Sequence, residues 1–345
     1  MFVDELEDGA LYGNGDQWSR GPVIGNSGSG VVFLATLNKC KRRRTVANRL
    51  RPVMAVKSTG VSTSLPLLNE KMVLDELQDC RYIRRIFGAE TTSSVGGEPA
   101  YNLLLEYPSG GTLEDLIERS GGVGLPENDV WRYTKSLLLG LVHLHDHGYV
   151  HRNLNPSNVV LLRCSSTEFM AKIGNYESVA KIEMLEKTLW RPYSRTGVEY
   201  LSPEAFSGGN QGPAADVWAV GCIVYEMLTG KSVWEGRGEK EIRAELWKMK
   251  KGRGRMNINS NGVSENGKEF FKGCFESRWT AESATSTMLH YCCSTIVLKP
   301  RSLSREYIVD YAHERNTATS PTAYNDCMEA MHWVETTKRG CGRLY

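Results

Sequence analysis

Through the first hundred residues, apolar positions fall in short β-branched runs separated by glycine and polar turns. Beyond Tyr107 they recur at helical spacing. The stretch Trp18 to Leu37, W-S-R-G-P-V-I-G-N-S-G-S-G-V-V-F-L-A-T-L, predicts two strands around a glycine turn. Further strands are expected at Val53 to Lys57, Tyr82 to Phe87 and Tyr101 to Tyr107. Between them Leu67, Leu68, Val73, Leu74 and Leu77 predict a helix over Leu65 to Leu77. The second half predicts a long helix opening at Leu125 and Pro126 and stopping at Gly148. Others are expected at Asp216 to Gly230, Glu241 to Lys250, Gly267 to Phe275 and Ala281 to Tyr291. Five strands with one helix, then mostly helices, predict an α+β protein with a small β-rich lobe and a larger helical one. Residues 1–16, acidic and glycine-rich, are expected to form a loose lead-in.

Composition narrows the setting. The 345 residues, 41% apolar and 24% charged, describe an ordinary globular protein of one large or two modest domains. A net charge of +2 gives no ground for nucleic acid or a membrane as partner. The nine cysteines are scattered and include no C-x-x-C, which counts against a disulfide framework and a zinc site. The opening M-F-V-D-E-L-E-D lacks the charged and apolar regions of a signal peptide, and no apolar run reaches the length of a membrane span. A reducing cytosol is the expected location, with the nucleus as the alternative.

Three stretches carry chemistry. Gly25-Asn26-Ser27-Gly28-Ser29-Gly30-Val31-Val32 fits G-x-S-x-x-G-x-V, in which backbone N–H groups can approach phosphates. Alone, it is more simply a hairpin turn. A dinucleotide fingerprint would need a helix next, whereas V-V-F-L-A-T is strand-like, which argues against an oxidoreductase. Met54-Ala55-Val56-Lys57 ends an apolar strand in a lysine, ordinarily a solvated strand end, and Glu70 lies on the following helix at a suitable remove to pair with it. Tyr149 to Leu162, Y-V-H-R-N-L-N-P-S-N-V-V-L-L, has the outline H-R-D-L-x-x-x-N, with His151, Arg152 and Asn158 in register.

Leu105-Glu106-Tyr107-Pro108-Ser109-Gly110-Gly111-Thr112-Leu113 resembles the hinge E-Y-x-x-G-G-x-L of the MEKK-like mitogen-activated protein kinase kinase kinases. L-L-L-G-L-V-H-L-H, H-R-N-L-N-P-S-N, Ser202-Pro203-Glu204, D-V-W-A-V-G-C and Arg278-Trp279-Thr280-Ala281 agree with the same family, and the last two with W-S-R-G-P-V-I-G resemble most its plant members. The resemblance covers about residues 17 to 291 and implies a two-lobed protein kinase fold, N-lobe 17–107 and C-lobe 108–291. The tail 292–345 is unassigned; a docked extension and a partly disordered tail both fit it. The resemblance also implies an ATP cleft formed by Gly25, Ser27, Gly30, Val32, Ala55, Lys57, Leu105, Glu106, Tyr107 and Val160, with Glu70 holding Lys57. Asn158 and residue 175 stand at its metal positions. Glu204 and Arg278 resemble its buried C-lobe ion pair.

The departures fall on the chemistry. Asn153 stands at the base position and, as an amide, takes no proton near neutral pH. Asn155 stands where the family has the lysine facing the transferred phosphate. The family's K-I-x-D-F-G reads Lys172-Ile173-Gly174-Asn175-Tyr176-Glu177, so the metal aspartate is Asn175 and the turn glycine is Glu177, which does not freely adopt positive φ. Tyr176 is expected to fill the Phe position against Leu74 and His151, with a hydroxyl that needs a partner. Loss of a general base alone typically costs about 10²–10⁴ in rate. Lys57, Glu70 and Asn158 then either cradle ATP or persist structurally, and Mg²⁺ binding is in doubt. Ser178, Thr188, Tyr193, Ser194 and Thr196 are candidate phosphorylation positions that Arg152 could pair, as is Ser320 before Pro321. T-G-V-E-Y-L-S-P-E displaces or loses the family's loop-ordering Thr, and the basic runs 39–44 and 248–255 read as solvated charge, the first alternatively as a nuclear-localisation patch. The leading expectation is a pseudokinase, a scaffold or allosteric partner of other kinases or substrates in a mitogen-activated cascade. The alternatives are a weak serine/threonine kinase and a module whose cleft binds no nucleotide.

Overall fold

The computed structural model of the chain describes residues 12–38, 50–93, 97–166, 168–185, 197–206, 211–259 and 262–275. The predicted helix 281–291, the run at Arg278, the tail 292–345, the basic run 39–44 and Thr188, Tyr193, Ser194 and Thr196 lie outside the described residues.

The glycine pattern near the start becomes a hairpin. Strand β1 (Trp18–Ser27) pairs antiparallel with β2 (Gly30–Leu37) across Gly28 and Ser29. At Gly30 a Cβ would lie 2.4 Å from the Ser58 carbonyl oxygen, so only glycine lets β3 (Val53–Gly60) come alongside there. With β4 (Ile86–Thr92) and β5 (Ala100–Glu106), these strands form an antiparallel sheet of order β1-β2-β3-β5-β4. The register sets Val32 opposite Lys57 and Ala55 opposite Leu105. Helix α1 (Leu65–Glu76) covers the sheet through Leu67, Val73 and Leu74 and points Glu70 inward.

Two expectations shift. The strand predicted at 82–87 begins only at Ile86, because the backbone before it is claimed by the C-terminal lobe. There Ile173 N–H donates to Tyr82 O and Arg84 N–H to Ile173 O, both at 2.9 Å. Residues 12–14 of the predicted loose lead-in are tied to the sheet by Arg20. Its guanidinium donates to Gly13 O, Ser58 Oγ and Asn102 Oδ1 and stacks 4.5 Å over the Phe33 ring.

The second lobe opens at α2 (Leu113–Arg119), whose first turn is closed reciprocally by Thr112 and Asp115. Its core is α3 (Glu127–Asp146) packed on α6 (Pro213–Thr229), which is apolar on nearly every face and buried accordingly. Gly148 and Gly230 end these helices at φ +75° and +70°. Two short hairpins lie on this core, β6 (Tyr149–Val150) with β9 (Ala180–Lys181), and β7 (Val159–Arg163) with β8 (Phe169–Ile173). Short helices α4 (Ile182–Leu185) and α5 (Pro203–Phe206) accompany them, and α7 (Glu239–Lys250) and α8 (Glu265–Cys274) complete the lobe among the described residues. The expected α+β architecture, a β-rich lobe followed by a helical one, is the one observed.

Candidate active site

The loop after β6 is held by one carboxylate. Asp216, buried in the first turn of α6, accepts the N–H groups of His151 and Arg152 at 2.8 Å each, and His145 Nε2 lies 2.8 Å from its Oδ2. These bonds keep Arg152 at φ +67°, a conformation that costs a non-glycine residue free energy. Burial would raise the Asp216 pKa, but its bond to His145 and the other donors hold it below the ordinary value. Burial also pushes Arg152 down to about 10, and its Nε donates to Gln211 Oε1 at 3.1 Å. Ser178, one of the predicted phosphorylation positions, is buried, which removes it as an accessible acceptor in this conformation.

Four asparagines meet at the mouth of this loop and largely bond to one another. Asn158 Nδ2 donates to Asn153 O at 2.7 Å, and Asn155 Nδ2 donates to the same oxygen at 3.3 Å. Asn155 Oδ1 accepts from Asn158 N–H and from Ser157 Oγ. Asn175, after β8, donates its Nδ2 to Asn158 Oδ1 at 2.9 Å. The turn expected to suffer from the missing glycine is made differently, since the positive φ falls on Asn175, at +57°, and not on Glu177. Asparagine tolerates that conformation better than most residues.

Above this network Lys57 of β3 reaches down between two acids. Its Nζ lies 2.6 Å from Glu70 Oε2, forms an ion pair with Glu177, and donates to Asn175 Oδ1 at 3.2 Å. The Glu70 and Glu177 side chains are 1% and 3% exposed, so the ammonium rather than bulk water faces both carboxylates. Burial would raise the Glu177 pKa, but the charge of Lys57 and the hydroxyls of Ser29 and Ser27 at the hairpin tip leave it below the ordinary carboxylate value. Tyr176 between them fills the core, its ring edge-on to His151 at 5.6 Å. The hydroxyl finds its partner in Ile173 O at 3.0 Å, and the Tyr176 N–H donates to Glu70 Oε1.

On the opposite side Ala55 and Leu105, paired across β3 and β5, and Val160 are buried apolar side chains, with Val32 half-buried. Gly25 lies opposite Val32 in the hairpin, and Glu106 and Tyr107 lead out of β5. The Arg84 side chain runs near Val160. It passes Gly174, where a Cβ would stand 3.6 Å from both Arg84 Cδ and Val160 Cγ1. Its Nε and Nη2 then donate to the Glu106 carbonyl oxygen at 3.1 and 3.0 Å. The Glu106 carboxylate is held separately by Lys172 at 2.8 Å. Burial lowers the Arg84 pKa against the pull of Glu70 and Glu106.

Of the residues named from sequence, Lys57, Glu70, Asn158 and Asn175 form one chain of side-chain contacts, and Asn153 and Asn155 join it through the Asn153 carbonyl. Two residues that dominate its electrostatics were read differently. Glu177 was noticed only as a lost glycine, though a carboxylate two positions after Asn175 was a visible signal of a new partner for Lys57. Arg84 left no signal, because its role depends on the pairing of residues 82–84 with β8. Two features of this cleft bear on the cofactors expected of it. For Mg²⁺, the two metal positions are neutral amides bonded to one another. For ATP, the lysine and the hinge carbonyl that would meet its phosphates and base already carry Glu177 and Arg84.

A glycine hairpin above a lysine–glutamate pair, a two-lobed fold and an H-R-x-L-x-x-x-N loop anchored by a buried aspartate define a protein kinase scaffold. Residues 18–290 match the protein kinase domain family, to which the chain belongs. Within it, the chain is related to mitogen-activated protein kinase kinase kinases of plants and animals. It is 36% identical over 271 residues to mitogen-activated protein kinase kinase kinase 20 of Arabidopsis thaliana, covering 77% of this chain and 76% of that one. It is 30% identical to number 17 of the same plant over 77% of this chain and 67% of the relative. Human mitogen-activated protein kinase kinase kinase 3 is 28% identical over 79% of this chain, which spans 41% of that protein. No helix among the described residues is long and apolar enough to cross a membrane.

Proposed function

We propose that the protein is a pseudokinase of the mitogen-activated protein kinase kinase kinase type, acting as a scaffold or allosteric partner within a phosphorylation cascade rather than as a phosphotransferase. The observation that carries this reading is a neutral amide at each of Asn153, Asn155, Asn158 and Asn175, with the two metal positions, Asn158 and Asn175, bonded to one another. Phosphoryl transfer relies on positioned charge: a carboxylate to orient and deprotonate the hydroxyl, and metal ligands to neutralise the phosphates. The amides at these positions supply neither. The carboxylates that share Lys57 with Asn175, Glu70 and Glu177, are both engaged by that lysine. The kinase surface meanwhile persists, because the hydrogen bonds that shape it, above all those of Asp216, do not involve the lost groups.

The test is transfer of labelled γ-phosphate to a mitogen-activated protein kinase kinase, with Mg²⁺ or Mn²⁺. No incorporation above that of Lys57→Arg, a variant that keeps the buried cation, is expected. Robust incorporation that follows the protein through purification and disappears in Lys57→Arg would overturn the proposal and indicate a serine/threonine kinase.

A further inference from the structure

We propose that this chain carries its own substitute for the nucleotide: Glu177 occupies the anion position on Lys57 and joins the two lobes there, Arg84 occupies the hinge carbonyl of Glu106, and together they fill the cleft without nucleotide. The inference rests on the pseudokinase reading of the same site and adds what fills the cleft and which residue keeps nucleotide out.

Charge balance and geometry support it. Lys57 already faces two buried carboxylates, so its charge is taken up before any phosphate arrives. A triphosphate would have to displace Glu177 or stand beside it as a like charge in a site poorly screened by water. Glu177 also lies under the tip of the glycine hairpin, beside Ser27 and Ser29. In this way a single carboxylate from the C-terminal lobe is paired with β3 of the N-terminal lobe and stands near the hairpin that would otherwise close over phosphates. At the hinge, Arg84 satisfies the Glu106 carbonyl from within the chain through two N–H groups. A purine amine would compete for that oxygen with a charged and bidentate donor. The two plugs come from different segments, one before β4 and one after β8, and both are buried.

The experiment measures binding of ADP and ATP to the full chain in the presence of a chelator, by equilibrium dialysis with labelled ADP and by melting temperature. A ligand at about tenfold its Kd raises the Tm of a domain of this size by about 3–6 °C. The unaltered protein is expected to show no retained label and no rise at millimolar nucleotide. Glu177→Gly is expected to retain label, and Glu177→Gly with Arg84→Leu to retain more. Glu177→Gln, which keeps the shape and removes the charge, guards against a glycine variant that fails to fold, and its expected result is a smaller but measurable gain. Nucleotide binding by the unaltered protein would overturn the proposal, as would folded Glu177 variants that all fail to bind. Binding without phosphotransfer would remove the substitute and leave the pseudokinase reading standing, whereas phosphotransfer by the unaltered protein would remove both.

Discussion

Lys57 holds an unusual position for a lysine, buried with a carboxylate on either side and an amide oxygen at 3.2 Å. Removing the ammonium would leave Glu70 and Glu177 buried together as like charges. Breaking a buried ion pair on one side typically costs about 3–5 kcal/mol, so Lys57→Met is expected to lose about that much stability in urea unfolding. The loss should shrink when Glu177→Gln is added, because one stranded charge is then gone. Equal losses in both backgrounds would show that Glu177 is not energetically tied to Lys57. At this scale the sequence was legible for Lys57, Glu70 and the four asparagines, whose types and spacing already expressed their chemistry. It was not legible for Arg84, because nothing local distinguishes it from Arg81 or Arg85.

Among elements, α6 has the widest reach, since its first turn carries Asp216 to the loop after β6. Asp216→Asn keeps the shape but replaces one accepting oxygen by a donor that faces N–H groups. The expected cost is about 3 kcal/mol at neutral pH, the range for a buried, charge-assisted network losing an acceptor. The pH dependence follows from the direction of the shift. The folded-state pKa of Asp216 lies below its ordinary value of 3.8, so its contribution is fully present above that value and is lost as pH falls through the folded-state value. The variant should therefore show a shallower loss of stability below about pH 4 than the unaltered protein. Parallel acid-unfolding curves for the two would contradict the assignment. Most elements were legible: the hairpin about Gly28, the helix bearing Glu70 and the apolar helix of Asp216 lie where the periodicity sets them. The strand near residue 86 was misplaced, because R-Y-I-R-R-I-F is apolar enough to pair with either neighbour. The choice fell to β8, which captures Tyr82 and Arg84.

For the molecule as a whole, the two lobes keep a kinase shape while the groups between them satisfy one another. That arrangement predicts the outcome of a rebuilding experiment. Restoring carboxylates with Asn153→Asp and Asn175→Asp should leave γ-phosphate transfer at background, because the lysine still faces Glu177. Adding Glu177→Gly and Arg84→Leu should bring transfer above background in the same assay. Recovery by the two aspartates alone would place the whole defect in the amides and none in the plugs. A silent quadruple variant that binds ADP would place the remaining defect at Asn155 or in the segment after β9.

The sequence by itself determined the architecture and the loss of charge. Hydrophobic periodicity and glycine placement are local properties, and an asparagine in place of an aspartate lacks its carboxylate in any fold. Only the tertiary structure decided what stands in place of the missing chemistry. The ion pair of Lys57 with Glu177 joins residues 120 positions apart, and the bonds of Arg84 to Glu106 depend on how a short segment is shared between lobes. Contacts of that kind arise from packing between elements, which no window of sequence contains.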